Sequence, residues 1–463
     1  MKSKTKIKPK TKVSRIKYRA SLDYINGIIA KGEKTDLCNI NRVLEYFGDI
    51  GQKMKVVHIT GTNGKGSTAA FTASMLSEMG FRTALFTSPH LVDIRERIKI
   101  DGTDISKEDF CFALDKAKAA YDLLSITPSF FELMLIIAVL YFRSKDCDFL
   151  VAEVGIGGRL DSTNVLKGAV CSITGVSFDH IEYLGCTLEE IAREKTAIVK
   201  PGSVLCVNVS DDKLYEFIKK EAVKRGALKV RRVQRHIAGR IVSIDKAGTV
   251  FMADSPSFKN TLFHLSLIGD YQFNNARCAL SIIEELNGLG LIKICPQACI
   301  RGLSKTVWPG RFELFDTAQG RILLDGAHNV EGMLGLCRNI KKLFKNRNIT
   351  AIISILPNKQ YKRMLKIISG VSSRIIVVGL NNIKKNIEIR ALFDQAKEYH
   401  DNVICFGDVE AALDYILKAG PVDLVCITGS LYLIGEARKI LTARLEAEAE
   451  KSKCVNYESS IKT

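Results

Sequence analysis

From residue 54 to about residue 209, short apolar runs alternate with longer stretches in which apolar residues recur every three to four positions. Uninterrupted apolar runs of this length suit strands buried on both faces. Their alternation with helical segments predicts parallel strands joined by helical crossovers. The clearest predicted strands are residues 56–60, 149–154, 170–176 and 204–209. Residues 229–267, with Lys246, Ala247 and Gly248 as a turn signal, predict hairpin strands added to the same domain. Pro296, Gly302, Trp308, Pro309 and Gly310 then interrupt the pattern, and a hinge is predicted across residues 295–311.

Beyond the hinge the alternation restarts. Strands are predicted at residues 322–324, 350–355, 374–378, 403–406 and 424–428, with helices from Glu331, Gln360, Glu388, Val409 and Leu431. The pattern reads as α/β, with a larger parallel-sheet domain and a smaller doubly wound, Rossmann-like one. Ligands of such sheets bind beyond the carboxyl ends of the strands, so two facing domains imply a cleft for two or three substrates. Residues 446–463 read as a frayed polar tail.

Composition narrows the class. With 46% hydrophobic and 25% charged residues among 463, the chain can bury substantial cores and is not a disordered protein. The longest apolar run, residues 133–142, lies between Glu132 and Arg143 and is about half a membrane span. The start of the chain shows no secretory pattern, and the thirteen cysteines form no CxxC pair, so a reducing cytoplasm is expected. The formal charge is +18, yet residues 1–19 hold nine Lys or Arg and no acid, so half of the excess lies in one segment. That segment reads as a solvated, flexible tail, with nonspecific RNA or membrane contact as its alternative.

The strongest chemical signal is a predicted strand running into Gly61, Thr62, Asn63, Gly64, Lys65, Gly66, Ser67 and Thr68, followed by a helix. Glycines let backbone N–H groups turn around phosphate oxygens. The helix N-terminus adds partial positive charge, Lys65 adds a full one, and Ser67 can reach magnesium. The unit reads as a cradle for a nucleoside triphosphate, although Gly66 separates Lys65 from Ser67 and departs from the generic P-loop spacing. A dinucleotide fingerprint fails, because Leu160 stands where its third glycine is required. Glu153 ends an apolar strand, which suits a metal-holding carboxylate or a plain strand terminus. Asp179 and His180 follow another strand and bring an imidazole to the same sheet edge.

Taken together, these segments resemble the Mur ligase superfamily, and within it the folylpolyglutamate synthase and dihydrofolate synthase family. The resemblance runs from about Ser21 to Ala437 through GTNGKGST (61–68), SPHL (88–91), ERI (96–98), SFFE (129–132), EVGIGGRLDSTN (153–164), DH (179–180) and EKTAIVKPG (194–202). It continues through GDYQFNNA (269–276), PGRFE (309–313) and DGAHN (325–329). It implies an ATP-dependent ligase that activates an acceptor carboxylate as an acyl phosphate and joins it to the amine of L-glutamate. It also implies an ATP- and pterin-binding domain over residues 20–304 and a ligase domain over residues 305–445.

By the same resemblance, Lys65, His180 and Lys195 are catalytic, and residues 61–68 bind ATP with Asn275, Arg311, Asp325 and His328. Ser67 and Glu153 would hold one magnesium ion and His180 a second, near Lys195 if that lysine is carbamylated. The pterin would meet Ser129, Phe130, Phe131, Glu132, Leu160 and Asp161, with Asp36 and Leu37 as a further contact. ATP, L-glutamate and dihydropteroate or folate are the expected partners. A monomer with neither membrane nor nucleic-acid partner is expected.

Two departures stand out. Where relatives commonly read like MxDKD, this chain has Leu356, Pro357, Asn358, Lys359 and Gln360, and Tyr271 replaces the His of a GxHQ segment. The competing readings are another Mur-type amino-acid ligase and, from a different class, a nucleic-acid-binding protein on a P-loop scaffold.

Overall fold

The computed structural model describes residues 15–29, 36–48, 54–380 and 387–461. The first lobe is built on β1 (Lys55–Thr60), β2 (Thr83–Phe86), β3 (Ile98–Ile100), β4 (Thr103–Asp104), β5 (Phe149–Glu153), β6 (Gly168–Ile173), β7 (Val204–Val207) and β8 (Lys229–Arg232). These lie in the order β4-β3-β2-β5-β1-β6-β7-β8. All pair in parallel except β2 with β3 and β3 with β4. β1 is central, with Ile59 opposite Glu153 on one side and Thr60 opposite Ile173 on the other. This register brings the ends of β1, β5 and β6, and hence the glycine loop, the carboxylate and the Asp179–His180 segment, to one edge.

The predicted hairpin region divides. Lys229–Arg232 joins the parallel sheet as β8, where Lys229 and Arg231 pair with buried Glu285 at 2.8 and 2.7 Å. β9 (Ala238–Asp245), β10 (Gly248–Asp254) and β11 (Thr261–Leu265) form a separate antiparallel sheet. The predicted hinge also narrows. Pro296 starts a helix, Pro296–Lys305, that packs on the helix Lys65–Glu78, so the crossing between lobes is confined to residues 306–312.

The second lobe contains β12 (Glu313–Thr317), β13 (Gly320–Leu324), β14 (Ile349–Ile353), β15 (Arg374–Val378), β16 (Val403–Phe406) and β17 (Val422–Thr428). Their order is β12-β13-β17-β14-β15-β16, parallel except for β12 against β13. Two tail expectations are corrected. Residues 1–14 lie outside the described residues, but Arg15–Ile29 is a helix whose Ile25 and Ile28 join the core, so the last five residues of the basic run are not tail. The final helix, Leu431–Ile461, continues through the supposed frayed end, where Ala and Glu favour helix after the apolar stripe has ended. Among the described residues no helix is long and apolar enough to cross a membrane.

Candidate active site

β1 ends at Thr60 and the chain enters the glycine loop. Gly61 has φ +150° and Gly64 φ +83°. A Cβ at Gly64 would lie 2.1 Å from Asn275 Oδ1, so neither conformation nor space admits a side chain there. Gly64 caps the helix Lys65–Glu78. Lys65 Nζ folds back to donate to the carbonyls of Gly61 (3.0 Å) and Thr62 (3.2 Å). Burial pushes its pKa down, while Glu153 and Asp179 pull it up. Ser67 and Thr68 are buried in the first turn. The additional Gly66 has a packing reason, since a Cβ there would press on the indole of Trp308 at 3.0 Å.

Glu153 is buried and accepts the Ser88 amide at 3.1 Å. Burial raises its pKa, and Lys65, then Arg311 and Arg97, oppose that rise. Gly66, Ser88, Glu153, Trp308, Arg311 and Leu431 line one open cleft. Residues from both lobes and the crossing therefore share this space.

The two lobes also meet at Asp179. Its Oδ1 accepts Lys359 Nζ at 2.5 Å and its Oδ2 accepts Asn329 Nδ2 at 3.1 Å, with His328 Nε2 at 3.7 Å. Lys359 Nζ is also 3.2 Å from His180 Nε2. Burial alone would raise the Asp179 pKa, but Lys359, His180 and His328 together hold it well below the usual carboxylate range. Burial and the Lys359 charge push both His180 and His328 down to about 4. His328 Nδ1 lies 2.7 Å from the Gly326 carbonyl, which can only accept, so that nitrogen carries the ring proton. Asn63 and Asn329 exchange hydrogen bonds of 3.3 and 2.9 Å and seat the second lobe on the glycine loop.

Asp325 is engaged by protein donors. It accepts from Phe312 N (2.9 Å), the Tyr271 hydroxyl (3.1 Å) and Ala327 N (2.9 Å). Arg311 donates to the Gly310 carbonyl at 3.1 Å. Asn275, on the helix Asp270–Gly288, is held by Gln272 at 2.9 Å. Lys195 is 2% exposed, and among the described residues no acceptor bonds its Nζ. Burial, then the Lys65 charge, pushes its pKa down to about 7.

The pterin candidates form a separate group. Ser129 and Glu132 cap each other's amides at 2.7 and 3.3 Å. Asp161 accepts from the amides of Gly155, Ile156 and Thr163 and from the Thr163 hydroxyl. These three polar side chains therefore shape backbone. Leu37, Phe130 and Phe131 pack on one hydrophobic cluster, Leu160 is exposed, and Asp36 accepts the Cys38 amide at 2.9 Å. The sequence reading did not single out Ser88 and Arg97 as site residues, although SPHL and ERI contain them. Nor did it foresee what Lys359 and Tyr271 touch.

A glycine loop at the end of a parallel strand, facing a Rossmann-like lobe across a short crossing, is the architecture of a Mur-type ligase. Residues 59–283 match the Mur ligase middle domain, and residues 310–431 match the Mur ligase glutamate ligase domain. The chain is 33% identical over 447 residues to the dihydrofolate synthase/folylpolyglutamate synthase of Bacillus subtilis, covering 92% of this chain and 99% of that one. It is 29% identical over 429 residues to the dihydrofolate synthetase of Saccharomyces cerevisiae, covering 88% and 98%. The crystal structure of the Mycobacterium tuberculosis folylpolyglutamate synthase complexed with ADP and AMPPCP superposes with a TM-score of 0.83 at 27% identity, covering 92% and 99%. The chain belongs to the dihydrofolate synthase/folylpolyglutamate synthase family of Mur ligases.

Proposed function

We infer that the chain is an ATP-dependent amide ligase that adds L-glutamate to dihydropteroate, folate or both, through an acyl-phosphate intermediate. The observation that carries this reading is that Glu153 from the first lobe and Arg311 from the crossing line one cleft, with the Lys65 charge acting on Glu153 beside it. The acceptor carboxylate attacks the γ-phosphorus, ADP leaves, and the glutamate amine then displaces phosphate from the acyl carbon. Carboxylate and triphosphate repel each other, so fixed positive charge at the loop is worth most where the negative charge develops. Closure of the second lobe shields the acyl phosphate from water.

Magnesium suits the donors present. Ser67 and Glu153 offer hard oxygens beside the loop, and among the described residues no cage of three His, Cys, Asp or Glu has formed. Magnesium commonly takes one or two protein oxygens and completes its shell with phosphate and water. When bound it would neutralise the transferring phosphoryl oxygens. A second ion on His180 Nε2 requires the Lys359 ammonium to withdraw. We place the reaction in the cytoplasm, in keeping with the free thiols of the described cysteines.

Lys195 fits a carbamate. Its neutral Nζ would attack the carbon of CO2, form an N–C bond and release one proton, turning an unpartnered buried cation into an anion. Native intact mass of bicarbonate-supplied enzyme is expected to show an added CO2 that Lys195→Met lacks. An unmodified mass in active enzyme would rule the carbamate out.

The functional test is phosphate release with ATP, magnesium and L-glutamate. Release is expected with dihydropteroate or tetrahydrofolate, not with a muramyl nucleotide, and chelation of magnesium is expected to reduce it to background. Release that needs neither pterin would overturn the reading.

A further inference from the structure

Arg97 closes the short 3-10 turn Ile94–Arg97, where β3 begins beside β2, and its carbonyl accepts the Thr87 amide at 3.0 Å. The preceding loop is rigidly held, since the Glu96 carboxylate accepts the amides of Leu91, Val92 and Asp93 at 2.7, 3.1 and 2.9 Å. Arg97 is therefore placed by a fixed backbone. It is only 7% exposed, and its Nε donates to His90 Nδ1 at 2.8 Å. Burial, then Arg97 itself, pushes that imidazole down to about 4, so His90 is neutral near pH 7 and supplies no counter-charge.

Among the described residues no carboxylate lies within 4.0 Å of the Arg97 guanidinium, and no acceptor is bonded to Nη1 or Nη2. Arg277, which is similarly buried, differs: it donates to the carbonyls of Ile237 and Gln234, each at 2.8 Å. Glu153 and Glu96 act on this charge only from beyond 4.0 Å, and a buried cation with no carboxylate in contact is costly unless an anion arrives to meet it. Burial pushes the Arg97 pKa down only to about 10, so the charge persists at neutral pH.

Its position indicates which anion. The guanidinium carbon lies 5.0 Å from the centroid of the Phe130 ring, on the side of the fold that carries the aromatic cluster. The strand order β3-β2-β5-β1 places its backbone two strands from Glu153 and three from the glycine loop. Arg97 thus stands between an aromatic surface and the phosphate cradle. A molecule with a flat ring system at one end and a carboxylate at the other matches that layout.

We propose that Arg97 binds the carboxylate of the acceptor, presenting Nη1 and Nη2 to it while Phe130 faces the acceptor's rings. For dihydropteroate this is the benzoate carboxylate. The proposal rests on the reading of the chain as a pterin-acceptor ligase and assigns that site a specificity-determining residue. A guanidinium here offsets the acceptor's negative charge next to the triphosphate. Its planar fork can hold one carboxylate oxygen while the other remains free to attack.

The test compares binding of dihydropteroate and of its carboxylate-free counterpart, 6-(anilinomethyl)dihydropterin, to wild type, Arg97→Met and Arg97→Lys. Arg97→Met is expected to weaken dihydropteroate by about 10–100-fold, the range of a charge-assisted hydrogen bond. It should leave the carboxylate-free pterin and AMPPCP bound as before and raise the acceptor KM more than it lowers kcat. Arg97→Lys keeps the charge without the fork and should recover part of the loss; should the Met variant not fold, Lys must show the same selective weakening. Equal weakening of both pterins would reduce Arg97 to a packing role on Phe130, and unchanged dihydropteroate binding would place the carboxylate elsewhere. Wild type that releases no phosphate with any pterin acceptor would remove the functional reading itself, and this role with it.

Discussion

Lys65→Ala is expected to lower kcat for phosphate release by at least about 10²–10³-fold, the usual loss for one preorganised charge on a transferring phosphoryl group. The ammonium now rests on the Gly61 and Thr62 carbonyls, within the proposed phosphate loop, so little movement would be needed to meet a phosphate there. Folding should survive. The helix that begins at Lys65 is anchored by Phe71, Met75 and Leu76, all fully buried and remote from the ammonium. Parallel measurement of turnover and thermal midpoint separates the two effects. Near-normal turnover in the variant would mean that the glycine loop is not the phosphate cradle.

The second large effect is expected at Lys359. Its side chain is 6% exposed and that of Asp179 7%, and their 2.5 Å bond crosses from one lobe to the other. Removing one member of such a buried pair typically costs about 3–5 kcal/mol, because the other charge is left without compensation. Here the stranded group is a carboxylate at the lobe interface, and parting the lobes rehydrates it. Lys359→Met should therefore increase the radius of gyration seen by small-angle scattering and raise the KM for glutamate. Adding Asp179→Asn should recover part of the closed population, since neither buried charge then remains. Unchanged scattering and kinetics in the single variant would show that the pair does not hold the lobes together.

The fold was legible where burial is continuous. β5, β15 and the helix Val409–Lys418 fall within a residue of where the sequence pattern places them, and the two strands do so because strands covered on both faces leave uninterrupted apolar runs. Apart from the edge strand β16, the short or edge elements were less legible. β4 has two residues, β3 has three, and β12 is a half-exposed edge strand, so none leaves a distinctive run. The helix Arg15–Ile29 was obscured because its first turns lie inside the lysine-rich run that reads as solvated tail.

The site divides in the same way. The glycine loop is a contiguous motif whose residue types state their chemistry, and Glu153 ends an apolar strand beside it. The Asp179–Lys359 bond joins residues 180 positions apart, and Tyr271 reaches Asp325 across 54. No local pattern carries such pairings. At the sequence level Lys359 and Tyr271 were only departures from a family pattern. Arg97 was hidden differently: one of two arginines in the charged IRER segment, it shows nothing of its burial or of its unbonded Nη atoms until the structure is known.

Trp308 is the only tryptophan in the chain, and its indole lies over Gly66, in the crossing between the lobes and against the first turn of the helix Lys65–Glu78. The protein thus has a built-in optical reporter. Its intrinsic emission comes from one indole beside the proposed nucleotide loop and between the lobes, so nucleotide binding is expected to change that emission and to be measurable in real time without attaching a dye.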